Sequence, residues 1–89
     1  MTEGEFLVTN KRGLHARAAA KLVQIASSFP CDIQISRDGQ SANAKSVMGV
    51  LLLCGTRGTS LTVAASGNRE QEAVQALGGL IDDKFGEGE

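Results

Sequence analysis

The chain has 89 residues, with nine Lys and Arg against ten Asp and Glu, for a formal net charge of −1. That length holds a single domain, 1–89, with one small core, and a hydrophobic share of 42% is too high for a disordered chain. Near-neutral charge and a sequence without Trp or Tyr argue against a nucleic-acid binder, which needs a basic stripe or stacking rings.

Taken in chain order, Phe6 and Val8 alternate with polar neighbours and predict a short first strand over Glu5–Thr9. The polar stretch Asn10 to Gly13 then leads into a helix over Ala16–Ser28. Its Ala16, Ala19, Ala20, Val23 and Ala26 recur at helical spacing, and Pro30 forbids its continuation. Cys31, Ile33 and Ile35 alternate in a second strand, Asp38-Gly39 marks a tight hairpin, and Gln40–Asn43 returns as a third strand. Ser46 to Leu53 reads as a short apolar helix with Ser46 near its start, and Val50, Leu51 and one of the next two Leu are expected in the core. After a loop at Gly55-Thr56-Arg57-Gly58, Leu61, Val63 and Ala65 form a fourth strand that stops at Ser66-Gly67. The last helix carries Ala73, Val74, Leu77, Leu80, Ile81 and Phe85 on one stripe, with Glu70 and Glu72 in its first turn and Lys84 in its last. Gly86 to Glu89 is expected as a loose tail.

The order βαββαβα places the chain in the α+β class. The expected architecture is an open-faced β-sandwich: a four-stranded, mostly antiparallel sheet covered on one face by three helices.

Cys31 and Cys54 lie in apolar stretches and read as two buried thiols; with one His and no paired-Cys spacing, no metal site is expected. The acidic start, Met1 to Glu5, lacks an export signal, and the apolar run Val47 to Cys54 is far too short to span a bilayer, so a cytoplasmic protein off the membrane is expected. A chain this small with balanced charge suits a carrier, adaptor or binding module better than an enzyme with a deep pocket.

His15 stands immediately before the Ala-rich helix. A helix N-terminus offers unpaired N–H groups and a partial positive charge, and Arg17, two residues on, adds a permanent cation whose fork matches phosphate oxygens. An imidazole in that setting can accept a phosphoryl group; spacing alone also fits an ordinary surface His beside an incidental Arg. Ser46 is first an N-cap, and phosphorylation there would again place a dianion at a helix N-terminus. Val47, Met48 and Leu51 are candidates for partner docking, Met48 foremost because a thioether repacks against varied surfaces. The carboxylates Glu70/Glu72 and Asp82/Asp83 read as solvated helix faces.

The segment Asn10-Lys11-Arg12-Gly13-Leu14-His15-Ala16-Arg17, followed by an Ala-rich helix, resembles the active-site segment of the HPr family, the histidine phosphocarriers of the bacterial phosphotransferase system. Ala44-Lys45-Ser46-Val47-Met48-Gly49-Val50 is similar to that family's regulatory-serine segment, at a matching separation. The resemblance implies that His15 accepts a phosphoryl group on Nδ1 from phospho-enzyme I, itself charged by phosphoenolpyruvate, and donates it to a His of an enzyme IIA domain. It also implies that Arg17 steadies the phosphoryl group and that Ser46 is a substrate of an ATP-dependent HPr kinase/phosphorylase. It implies a carrier, not an enzyme, that needs no cofactor, and a monomer is the default expectation for a protein whose active face must meet two partners in turn. Many sugar-transport members have Pro where this chain has Ala18, which leans toward the nitrogen-type branch, whereas Met48-Gly49 resembles members whose Ser is a kinase substrate. The alternative is a regulatory adaptor controlled by Ser46 with no relay through His15; a domain that only binds an anion at His15 and Arg17 is a third.

Overall fold

A computed structural model describes residues 1–53 and 55–86. Its elements are β1 (Thr2–Leu7), α1 (Ala16–Ser27), β2 (Asp32–Arg37), β3 (Gln40–Asn43), α2 (Val47–Leu52), β4 (Ser60–Ser66) and α3 (Glu70–Asp82), closed by a 3-10 turn at Lys84–Gly86. The strands lie in the order β1-β4-β2-β3, and every pairing among them is antiparallel. Alternation decides which face is covered. Ile33, Ile35, Leu61, Val63 and Ala65 are buried under the helices, while Glu3, Glu5 and Gln34 point to the open face. α1 contributes Ala18, Ala19, Leu22 and Ala26 to the core, and α3 contributes Ala73, Val74, Leu77, Gly78 and Ile81. Small residues on α1 let its backbone settle close to its neighbours, and it packs against both α2 and α3. No helix among the described residues is long and apolar enough to cross a membrane.

Four expectations need correction. The first strand begins at Thr2, not Glu5. Its early inward positions, Thr2 and Gly4, are small because α3 crosses close beneath them, so they show no hydrophobic alternation. The Phe6 ring fills that space, and a Cβ on Gly78 would stand 2.2 Å from its Cε1, which leaves only glycine at that point of α3. At the other end, α3 stops at Asp82, and Lys84 and Phe85 adopt left-handed backbone with φ of 56° and 54°. Lys84 is therefore not a last-turn charge of the helix. Phe85 still reaches the core, fully buried, and Lys21 of α1 ties the turn down by donating from Nζ to its carbonyl at 2.8 Å.

In α2, Val50 and Leu53 are buried as expected, but Leu51 is only partly buried, because a six-residue helix presents one narrow inward stripe. Finally, Glu70 is not a solvated carboxylate. Thr2 donates its hydroxyl to Oε2 at 2.6 Å, the Gly67 N–H donates to Oε1 at 3.2 Å, and the N-terminal ammonium lies 3.1 Å from Oε2. Led by the Thr2 hydroxyl, these contacts hold its carboxyl down to about 2, below the ordinary 4.5. Glu72 pairs with Arg69 at 2.8 Å, and that guanidinium also lies over the Phe29 ring at 5.0 Å. Cys31 is buried; Cys54 and the tail residues 87–89 lie outside the described residues.

Candidate functional site

After Leu7 the chain leaves the sheet and runs through residues 8–15 into α1. Asn10, fully buried, shapes this turn by donating from Nδ2 to the Gly13 carbonyl at 2.8 Å. Gly13 sits at φ +67°, and a Cβ there would stand 2.6 Å from the Gly55 carbonyl oxygen and 2.9 Å from the Thr56 Cα. Leu14, buried beside it, donates its N–H to the same Gly55 oxygen at 2.7 Å. The 10–15 and 55–59 loops are thus interlocked, and together they fix where α1 begins.

His15 is the residue at that beginning. Its backbone is extended (φ −82°, ψ 179°), and its carbonyl accepts the Ala19 N–H at 2.8 Å, the first bond of the helix. A shorter polar residue here would turn its side chain back to accept an N–H of the first turn. The imidazole makes no such cap. It stays partly exposed, next to the positive end of a twelve-residue helix whose first turn holds no acidic side chain. Arg17 is exposed in that first turn and, among the described residues, forms no ion pair. The structure therefore brings His15, Arg17 and the unsatisfied amides of α1 to one surface, a setting that suits a phosphate-sized anion.

Ser46 begins a different helix. Its backbone is also extended (φ −119°, ψ 113°), its carbonyl accepts from Val50 N–H at 3.0 Å, and its Oγ accepts from Gly49 N–H at 3.2 Å. The N-cap reading of Ser46 is thus what the structure shows. Lys45, just before it, is engaged elsewhere, donating from Nζ to the Phe29 carbonyl at 2.8 Å.

The apolar face beyond Ser46 differs in one residue from expectation. Val47 and Met48 are exposed, at 38% and 68%, but the third large exposed side chain is Leu52, at 71%, in place of Leu51. The signal for Leu52 was present: it lies four residues after Met48, on the same stripe of a helix. Leu51 packs against the core instead.

Known proteins share this sequence pattern and fold over nearly the whole chain. A family model described as the PTS HPr component phosphorylation site matches residues 2–83. The chain is 46% identical to a phosphocarrier protein HPr of Cupriavidus necator, covering 100% of both chains. Among solved structures it is similar to an HPr of Thermoanaerobacter tengcongensis (TM-score 0.94, 45% identity, 98% of each chain). A dimer of HPr from the same organism also matches, with TM-score 0.78 over 98% of this chain and 100% of the other. With a family model running through nearly the whole chain and relatives alike from end to end, this chain belongs to the HPr family, the phosphocarriers of the phosphotransferase system.

Proposed function

We propose that this phosphocarrier takes its phosphoryl group on His15 from phospho-enzyme I, charged by phosphoenolpyruvate, and gives it to a His of an enzyme IIA domain. The observation that carries this reading is the placement of His15: it is the N-cap of α1, partly exposed, and its ring does not close the helix end. The Nδ1 lone pair attacks phosphorus, the new N–P bond forms as the donor's N–P bond breaks, and the electron pair returns to the donor imidazole. Each ring keeps the proton on its other nitrogen, so no proton has to cross. The chemistry asks for in-line approach and charge neutralisation and little more. Helix amides and the Arg17 guanidinium meet the phosphoryl oxygens. A helix end contributes only about 0.3–1 kcal/mol toward an exposed anion. That modest figure suits a carrier, because a group held too firmly could not be passed on.

Ser46 is the regulatory position in this reading, modified by an ATP-dependent kinase of the HPr kinase/phosphorylase type. A phosphate there adds nearly two negative charges beside Val47 and Met48 and so alters the surface that partners meet. The carrier works as a monomer in the cytoplasm, presenting one face to donor and acceptor in turn. In this reading Ala18, where many sugar-transport members have Pro, supports the nitrogen-type branch.

Incubation with enzyme I and labelled phosphoenolpyruvate tests the relay. Acid-labile label is expected, absent from His15→Ala and intact in Ser46→Ala. A chain labelled only by ATP and kinase, with loss in Ser46→Ala, would instead establish the regulatory adaptor.

A further inference from the structure

Among the described residues, Asn10 is the one polar side chain that is buried, with none of its surface exposed. Burial takes an amide away from water and is unfavourable unless its hydrogen bonds are remade inside. The turn it belongs to does not require it for closure. Gly13 N–H already donates to the Asn10 carbonyl at 3.2 Å, which closes residues 10–13 through the backbone alone. The side chain adds a second bond, from Nδ2 to the Gly13 carbonyl at 2.8 Å.

That Gly13 carbonyl has another donor. His15 gives it its own backbone N–H at 3.0 Å, so both acceptor positions of the oxygen are taken. A chain of two hydrogen bonds therefore runs from the Asn10 amide, through the Gly13 oxygen, to the backbone of His15. On its other side His15 is held by its carbonyl, which accepts the Ala19 N–H at 2.8 Å, and Leu14 in between is fixed to Gly55. The His15 Cα is thus located from the loop and from the helix together, while the residue stays partly exposed. The helix side is secured by backbone alone; the loop side draws on one side chain, that of Asn10.

We propose that Asn10 is a positioning residue for the phosphoryl transfer, setting the place and direction of His15 through the Gly13 carbonyl. The inference rests on the phosphorelay reading above and adds to it a buried residue that touches neither the phosphoryl group nor a partner. Transfer between two imidazoles needs the attacking nitrogen in line with the bond that breaks, and a displacement of about 1 Å can cost on the order of a hundredfold in rate. An amide suits the position because it donates: an aspartate would set a carboxylate oxygen against the Gly13 oxygen, and an apolar side chain would leave that carbonyl with one anchor fewer. Because Asn10 acts inside the loop, its loss slows the bound complex and leaves docking as it was.

The test is the steady-state rate at which enzyme I, charged with phosphoenolpyruvate, labels His15 in the wild type, in Asn10→Ala and in Asn10→Leu. Alanine removes the donor and leaves a gap; leucine removes the donor and fills the space, so packing and hydrogen bonding are told apart. In both variants kcat is expected to fall roughly ten- to a hundredfold with KM unchanged. Hydrogen exchange supplies the second readout: the His15 amide should lose about tenfold or more of its protection while the amides of β4 keep theirs, because the opening is local. Wild-type kcat in a folded Asn10→Leu overturns the inference, as does a rise in KM at constant kcat or a His15 amide protected as in the wild type. Failure of both variants to fold assigns Asn10 to stability alone and overturns it as well. If the wild type itself gains no label on His15, the relay reading falls with it; if the wild type labels normally and the variants match it, only the role of Asn10 is lost.

Discussion

The starts of α1 and α2 look alike in the backbone and differ in what their side chains do. Each helix opens at a polar residue in extended conformation, His15 or Ser46, whose carbonyl accepts the first helical bond. At Ser46 the hydroxyl closes the helix end on itself through the Gly49 N–H. At His15 the ring does not, and the α1 terminus is shut neither by its own N-cap nor by an acidic residue in its first turn. The longer helix can tolerate this, because it is anchored along its length by Ala18, Ala19, Leu22 and Ala26, whereas α2 buries Val50 alone and depends on its cap. An open helix end is therefore placed where packing makes a cap dispensable. The lesson is that the end left chemically available is the one whose stability comes from elsewhere.

The largest expected effect comes from unlocking the loops that set this difference. Gly13→Ala puts a Cβ into the Gly55 carbonyl and asks an L residue to hold φ +67°. We expect a loss of about 2–4 kcal/mol in urea unfolding, since strained backbone and overpacking add. A loss under about 0.5 kcal/mol would show that the two loops are not interlocked as described.

Ser46→Ala comes next. Removing a working N-cap costs about 1 kcal/mol, and the short helix gives it nothing to fall back on. Urea unfolding should show that loss, while uptake of a phosphoryl group at His15 keeps its rate. A variant as stable as the wild type would mean that the Gly49 contact contributes nothing to α2.

Much of this contrast could be read from the residues alone. The polar break at Asn10 to Gly13 before an Ala-rich run locates the start of α1, and Ser46 ahead of an apolar run locates that of α2, because caps and periodicity are local signals. The readings that needed correction depend on what lies across the fold. Thr2 and Gly4 gave no hint of a strand, since their smallness answers to α3 and the Phe6 ring. Leu51 and Leu52 are equally apolar, and only the direction of the core separates them. The left-handed backbone at Lys84 and Phe85 follows from tertiary demands: it delivers the Phe85 ring to the core after α3 has ended. The interlock of Gly13 with Gly55 joins residues far apart in sequence, so neither glycine announces it.

The third helix start offers a smaller test. At α3 the Glu70 carboxylate accepts the Gly67 N–H and the Thr2 hydroxyl, so the first residue of the helix ties down the loop before it and the first strand. The folded state holds this carboxyl at about 2, below its ordinary 4.5. Its stabilising effect is therefore fully present above pH 4.5 and is lost as pH falls toward 2. Glu70→Gln should lower stability at neutral pH and flatten the decline of the wild type across that window, measured as urea midpoints against pH. The group is partly open to solvent and its contacts are screened, so the effect should be smaller than that of Ser46→Ala. Equal slopes in both proteins would assign the acid sensitivity to other carboxyls.

The smallest expected effect is the most discriminating. If the imidazole is kept out of the work of folding, His15→Ala should unfold within about 0.5 kcal/mol of the wild type, as surface substitutions do. The backbone N-cap survives in Ala, the ring makes no cap bond to lose, and the buried anchors of α1 lie further along the helix. Relay through the chain should nonetheless stop altogether. A variant that loses phosphoryl uptake and about 2 kcal/mol together would make His15 a structural residue, and the contrast with Ser46 would collapse. Loss of uptake at unchanged stability instead identifies a side chain held at the helix end for its chemistry alone.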